Sequence, residues 1–299
     1  MTTADKTDGD DRGGVWDTVK TVFWALVIAA AFRSLLFQPF SIPSGSMKPT
    51  LLVGDYLFVT KYSYGYSRYS FPFAPSLFGG RLWSDMPERG DVVVFKHPRH
   101  DACSAGPIDT VVNFARSIVS ARPVGPNDCQ DYVKRVVGLP GDQIQVTAGI
   151  LHINGTALQT DRIEDFVEPF VRRGTPLRPP RCANRALRTG ETCLKEQYLE
   201  TLPGGGPVHR ILNIEGEVGG NPGTQRRNQD NTPVFEVPEG HFFFMGDNRD
   251  NSVDSRFNEV GYVPFENLIG RADVIAISSD GPFWQIWNWR GDRFLKVIE

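Results

Sequence analysis

Between Val22 and Phe37 the chain runs through sixteen positions that carry one charge, Arg33. A helix needs about 20 residues to cross a bilayer core, so this run is short. Lys20 and Arg33 can extend their charges to the two interfaces and lengthen it. No polar stripe breaks Val22–Phe32, which argues against a helix buried in a soluble domain. A cleaved signal peptide is the second reading, because Ala29-Ala30-Ala31 resembles a small-residue cleavage site. The apolar run before those alanines is at the minimum length for that, and an uncleaved anchor is the preferred expectation. Lys6, Arg12 and Lys20 precede the run, so the positive-inside rule puts the N-terminus inside and the remainder outside. No second stretch of this kind follows, which excludes a polytopic membrane protein.

The rest has ordinary globular composition, with 40% apolar residues. Thirty glycines and 22 prolines imply many turns and speak against a helical bundle. A net charge of −3 gives no electrostatic reason to expect nucleic acid. Cys103, Cys129, Cys182 and Cys193 all follow the apolar run, where an exterior location permits disulfides. Four cysteines allow three pairings. Closeness in sequence favours Cys182–Cys193, with Cys103–Cys129 as companion; buried free thiols are the alternative. There is no CxxC.

Short β-branched runs separated by turns predict strands at Tyr56–Thr60, Asp91–Lys96, Asp131–Val137, Gln143–Val146, Ile150–Ile153, His241–Met245 and Ala272–Ser278. A short helix is expected at Thr110–Val119. Residues 165–235 are long, polar and rich in Pro and Gly, with Gly204-Gly-Gly-Pro207 an obvious loop. Phe283, Trp284, Trp287 and Trp289 close the chain, either packed under the sheet or dipping into a membrane interface.

None of the five histidines lies in an HExxH or beside a nucleophile elbow. His97, His100 and Asp101 could hold a metal, but Pro98 disfavours the helix that would align them, and no metal is expected. Pro43-Ser44-Gly45-Ser46-Met47-Lys48-Pro49-Thr50 has the composition of a loop. Ser46 lies nine residues past Phe37, so an extended linker keeps it within about 30 Å of the anchor. Gly45 permits close backbone approach beside its hydroxyl. In Asp131–Val137, alternation puts Lys134 on one face with Tyr132 and Val136. A lysine on an apolar face has its pKa lowered and can serve as general base; a snorkelling edge lysine is the plainer alternative. Met245-Gly-Asp-Asn-Arg-Asp-Asn-Ser-Val-Asp-Ser-Arg256 fails the calcium-loop pattern at Arg249 and Ser255 and otherwise reads as a polar turn.

Taken together, PSGSMKPTL, KRVVGLPGD and GDNRDNSVDSR, in this order after an N-terminal anchor, resemble the bacterial type I signal peptidases, or leader peptidases. Gly54-Asp55 with the strand after it, and Arg89-Gly-Asp-Val-Val-Val-Phe95, match the intervening boxes. The resemblance implies Ser46 as nucleophile and Lys134 as general base. It implies Ser44 as the hydroxyl that completes an oxyanion hole with the Ser46 N–H. Ser252 matches the serine that orients the lysine, and Asp254 and Arg256 a structural pair behind the site. The substrate would be a secretory precursor cut after an A-x-A-like site. It would add as a strand beside Phe40, Ile42, Asp131, Tyr132 and Val133, with its small side chains in pockets. No cofactor is implied.

The expected fold is mainly β: one N-terminal transmembrane helix, then an extracytoplasmic, barrel-like catalytic domain with a variable β insertion. Residues 1–20 would be a cytoplasmic tail and 21–37 the anchor. Residues 38–145 and 238–299 would form the catalytic domain, with variable loops at 63–88 and 98–130, and 146–237 the insertion. The expected location is the inner membrane, single-pass, with the catalytic domain on the periplasmic side. Many relatives carry two anchors, where this chain shows one. Two other classes compete: a self-cleaving repressor, against which the anchor speaks, and a non-catalytic scaffold, against which Ser46 and Lys134 speak.

Overall fold

A computed structural model describes residues 12–71, 79–98, 131–174, 179–184, 188–214, 229–282 and 284–298. The expected helix at Thr110–Val119, Cys103, Cys129, His100, Asp101 and Phe283 lie outside these residues.

The first element, α1 (Arg12–Leu35), has 24 residues. At 1.5 Å per residue it is about 36 Å long, enough to cross a bilayer core by length and composition. It begins earlier than the expected 21 and ends earlier than 37. Hydropathy marks only the apolar part, whereas no proline interrupts residues 12–20. There Thr18 and Thr21 donate back to the carbonyls of Gly14 and Asp17. The end is set by strand pairing, because Phe37 already faces Thr60. One terminal carbonyl, that of Leu35, accepts the Tyr66 hydroxyl at 2.7 Å. Phe23, Trp24, Leu26 and Ile28 are exposed, so the protein itself does not cover the helix.

Among the described residues, the pairs between named strands are antiparallel. Strands β1 (Phe37–Ser41), β2 (Asp55–Thr60), β3 (Val92–Lys96) and β4 (Asp131–Gly138) belong to an eight-stranded sheet. A four-stranded sheet contains β5 (Gln143–Thr147), β6 (Ile150–Ile153), β7 (Thr156–Ala157) and, later in the chain, β11 (Phe235–Glu236). Between these come β8 (Gln159–Pro169), β9 (Thr192–Thr201) and β10 (Val208–Leu212), which form a three-stranded sheet. The large sheet is completed by β12 (His241–Met245), β13 (Val263–Pro264), β14 (Leu268–Ser278) and β15 (Lys296–Val297). Its order is β1-β2-β14-β3-β4-β12-β13, with β15 on β14.

The three-stranded sheet supplies strands inside 165–235 that were not predicted individually, while Gly204–Pro207 is loop between β9 and β10. Lys195, Gln197 and Glu200 of β9 are buried, and their partners are distant in sequence, so no apolar alternation announces the strand. The predicted strands elsewhere are present, with β14 starting at Leu268 rather than Ala272.

Alternation along β3 divides the core. Val92 and Val94 join Ile42, Met47, Leu51, Leu57 and Val59 on one side of the sheet. Val93 and Phe95 join Val136, Phe242 and Phe244 on the other. A third cluster unites Ile144, Val146, Leu151 and Ile153 of the smaller sheet with Val137, Phe243 and Met245. The three-stranded sheet attaches at Leu212, which bridges Asn248 and donates its N–H to the Asp247 carbonyl at 2.8 Å.

Candidate active site

The segment carrying Ser46 is a loop closed at its base. The Gly54 N–H donates to the Ile42 carbonyl at 3.0 Å and the Ile42 N–H to the Asp55 carbonyl at 2.8 Å. Met47 and Leu51 anchor it in the core. Asp55 is wholly buried and accepts from Ser278, Arg293 and the Leu52 N–H. Arg293 also donates to the Thr50 carbonyl at 2.9 Å. The backbone of residues 45–46 is held from the other side by Asn248. Its N–H reaches the Ser46 carbonyl at 3.0 Å, and its side-chain amide the Gly45 carbonyl at 2.9 Å. Gly246 permits this approach: a Cβ there would lie 2.3 Å from Ser252 Oγ and 2.6 Å from the Ser46 carbonyl oxygen.

Lys134 comes to the same point from β4. Its Nζ donates to Ser46 Oγ at 2.7 Å and to the Val133 carbonyl at 2.9 Å. The residue is only 4% exposed. Burial lowers its pKa to about 8, although Asp254 and Asp247 nearby favour the charged form. The centroid of the Tyr132 ring lies 5.5 Å from Nζ.

The next residue projects to the opposite face. Arg135 makes two 2.9 Å bonds to the Asp247 carboxylate and a 2.7 Å bond to the Gly90 carbonyl. Thr50 donates to the same carboxylate at 2.5 Å, so this pair ties β4 to the nucleophile loop. Burial acts to raise the Asp247 pKa, but Arg135 holds it below the usual carboxylate range. Asp254 receives Arg256 through two 2.9 Å bonds and the Gly246 N–H at 3.0 Å. Burial is again outweighed, here by Arg256, and the Asp254 pKa is lowered.

The remaining expected residues divide as follows. Ser44 Oγ accepts the Ser46 N–H at 3.3 Å, so the two expected oxyanion donors face one another. Ser252 is buried beside Asp254, whose charge its hydroxyl helps to stabilise; the groups that hold Lys134 are Ser46 and the Val133 carbonyl. Phe40, Ile42 and Val133 gather on the cluster that contains Met47. Asp131 pairs with Lys96 at 2.6 Å, and Tyr132 stacks on Phe95 at 5.9 Å. Strand β4 pairs with β3 from Asp131 onward but meets β12 only from Arg135, which leaves its first half at a sheet edge. Cys182 and Cys193 are disulfide-bonded, with Cα atoms 5.2 Å apart. Among the described residues, no group of three or more His, Cys, Asp or Glu side chains could hold a metal.

Several residues that build the site were not evident from the sequence: Asp247 as the partner of Arg135, Asn248 as a clamp, and Asp55 with Arg293. Two buried ionic contacts made with the three-stranded sheet, Lys48–Glu168–Lys195 and Arg249–Glu200, were also missed. The only local signal was the density of charges in apolar strands.

Comparison with known proteins agrees with the motifs. The signal peptidase, peptidase S26 family matches residues 15–277. Signal peptidase I of Rickettsia typhi is 37% identical over 277 residues, covering 89% of this chain and 83% of that one. That of Rickettsia canadensis is 37% identical over 270 residues, covering 89% and 81%. A crystal structure of a signal peptidase I from Enterococcus faecalis overlaps 62% of this chain and 97% of its own at 23% identity, with a TM-score of 0.26. With the family matched across most of its length and curated relatives above a third identical, the chain belongs to the signal peptidase family, peptidase S26, whose members remove signal peptides.

Proposed function

We propose that this chain is a membrane-anchored serine endopeptidase that cuts secretory precursors after A-x-A-like sites with Ser46 as nucleophile and neutral Lys134 as general base. The supporting observation is the 2.7 Å contact between Ser46 Oγ and a buried lysine whose pKa is brought to about 8. In the neutral form the amine accepts the Ser46 proton as Oγ attacks the scissile carbonyl. The Ser46 N–H and the Ser44 hydroxyl then turn from one another to the developing oxyanion. The Lys134 ammonium protonates the leaving amine, and the signal peptide is left as an ester on Ser46. Lys134 next deprotonates a water, which hydrolyses the ester and restores the serine. Ser252 would hold the amine, with Asp254 and Arg256 as support.

The precursor would enter as a strand along Asp131, Tyr132 and Val133, where the sheet edge is open. Phe40, Ile42 and Val133 would form the apolar floor of its small pockets. In this reading α1 anchors the chain once in the inner membrane, residues before it stay in the cytoplasm, and the β domain stands on the periplasmic side. Strand β1 starts two residues beyond α1, which supports catalysis close to the bilayer. Trp284 and Trp287 are 77% and 76% exposed, as expected of rings that enter a lipid interface. Residues 38–145 and 238–299 would be the catalytic body and 146–237 the insertion.

The test is a cell-free assay of the purified full chain on a precursor with an intact A-x-A site. Cleavage by wild type, with none by Ser46→Ala, is the expected result. A Ser46→Ala enzyme that cleaves at a near wild-type rate refutes the assignment.

A further inference from the structure

Two residues after Ser46, the Lys48 side chain turns back across the loop. A Cβ at Gly45 would lie 3.3 Å from Lys48 Cε and 3.5 Å from Cδ, so the lysine stem covers the residue between Ser44 and Ser46. The stem ends at a carboxylate from another sheet: Lys48 Nζ contacts Glu168 Oε2 of β8. The other carboxylate oxygen faces Lys195 of β9 at 3.2 Å. All three side chains are buried or nearly so. Burial would raise the Glu168 pKa, but Lys195 and Lys48 hold it below the ordinary range, so the group stays ionised. An ion pair removed from water needs such matched partners. None of the three takes part in the reaction proposed above.

We propose that Glu168, supplied by the inserted sheet, is a positioning residue for cleavage: by holding the Lys48 ammonium it fixes the Ser44–Ser46 segment that must receive the oxyanion. The inference rests on Ser46 being the nucleophile. The physical reason is distance. The Lys48 side chain reaches from the nucleophile loop to Glu168 of β8, and Asn248 holds the Gly45 and Ser46 carbonyls. With Glu168 neutral, the Lys48 and Lys195 ammoniums are left together in a poorly solvated site. Lys48 then moves toward solvent and its stem leaves Gly45. Ground-state binding of the precursor, along Asp131–Val133 and the apolar pockets, is untouched.

The experiment uses the full chain in detergent with one A-x-A precursor peptide, and compares Glu168→Gln, Glu168→Asp, Lys48→Met, the double variant Lys48→Met/Glu168→Gln and Ser46→Ala. Single-turnover rates with enzyme in excess are read beside KM and melting temperature, because an unfolded fraction does not alter the single-turnover rate. Glu168→Gln is expected to slow that rate on the order of 10–100-fold with KM little changed. Lys48→Met should match it, the double variant should be no slower than either, and Glu168→Asp should recover part of the loss. A Glu168→Gln rate equal to wild type, or a double variant with the product of the two single losses, overturns the inference. Ser46→Ala separates the two levels. If it is inactive while Glu168→Gln is unimpaired, only the positioning role falls; if it cleaves, the nucleophile assignment falls and takes the positioning role with it.

Discussion

Arg135 and Asp247 face each other through two 2.9 Å hydrogen bonds, with neither side chain more than 1% exposed. Arg135 lies immediately after the candidate base in sequence, and its pairing with Asp247, which also accepts from Thr50, joins the base's strand to the loop that carries the candidate nucleophile. Removal of one partner leaves a buried charge, which costs about 3–5 kcal/mol. Asp247→Asn is therefore expected to lower the melting temperature sharply and to impair cleavage. Arg135→Met with Asp247→Leu should be less destabilised than Asp247→Asn, since no charge is left behind. Thermal unfolding of wild type and these variants checks this; an Asp247→Asn protein as stable as wild type would contradict it.

Ser44→Ala should lower kcat by about 10²–10³ with KM little altered, the usual effect of losing one oxyanion donor. In the free protein the Ser44 hydroxyl bonds the Ser46 N–H, so the alanine variant also frees that donor. Steady-state kinetics on one precursor peptide decide the matter. A loss confined to KM would mean that Ser44 binds substrate instead.

Gly246→Ala tests the close approach of the 245–256 segment to the nucleophile. The added methyl would sit 2.6 Å from the Ser46 carbonyl oxygen and must displace it. Displacement of this size costs on the order of 100-fold in rate. An alanine variant with wild-type activity would show that the loop tolerates the shift.

The bond between Cys182 and Cys193 closes a short loop at one end of β9. Cys182→Ser should destabilise the three-stranded sheet by about 2–3 kcal/mol. Hydrogen exchange over β8 and β9 should rise in the variant. Unchanged exchange, or free thiols at both positions in unreduced peptide maps, would oppose this.

How far these features were legible in the sequence follows from where their partners lie. Ser46, Lys134 and the Asp254–Arg256 pair sit in contiguous motifs, and the resemblance carried by those motifs together singles them out where each alone leaves a plainer reading. The strands around them alternate or run apolar for a few residues, which is a local signal. Arg135 could be assigned a face but not a partner, because Asp247 is 112 positions away. Strand β9 was hidden for the same reason. Its buried Lys195 and Glu200 are neutralised by Glu168 and by Arg249, and without those contacts its residues look like solvated loop. The start of α1 was missed because residues 12–20 are helical yet polar, and hydropathy reports only the apolar portion.

Catalysis by this dyad requires Lys134 to be neutral when Ser46 attacks. An unperturbed lysine titrates near 10.4 and would be almost wholly charged at neutral pH. Desolvation brings Lys134 to about 8, so a useful fraction is neutral and competent there. The sign follows: kcat/KM should be low while the amine is protonated and should rise as pH increases through about 8. The deciding measurement is the pH–rate profile of wild type and Lys134→Arg on a single A-x-A peptide. An ascending limb near 8 in wild type, with no activity in the arginine variant at any pH, is the predicted result. Appreciable cleavage by Lys134→Arg, or a wild-type limb near 10, would contradict it.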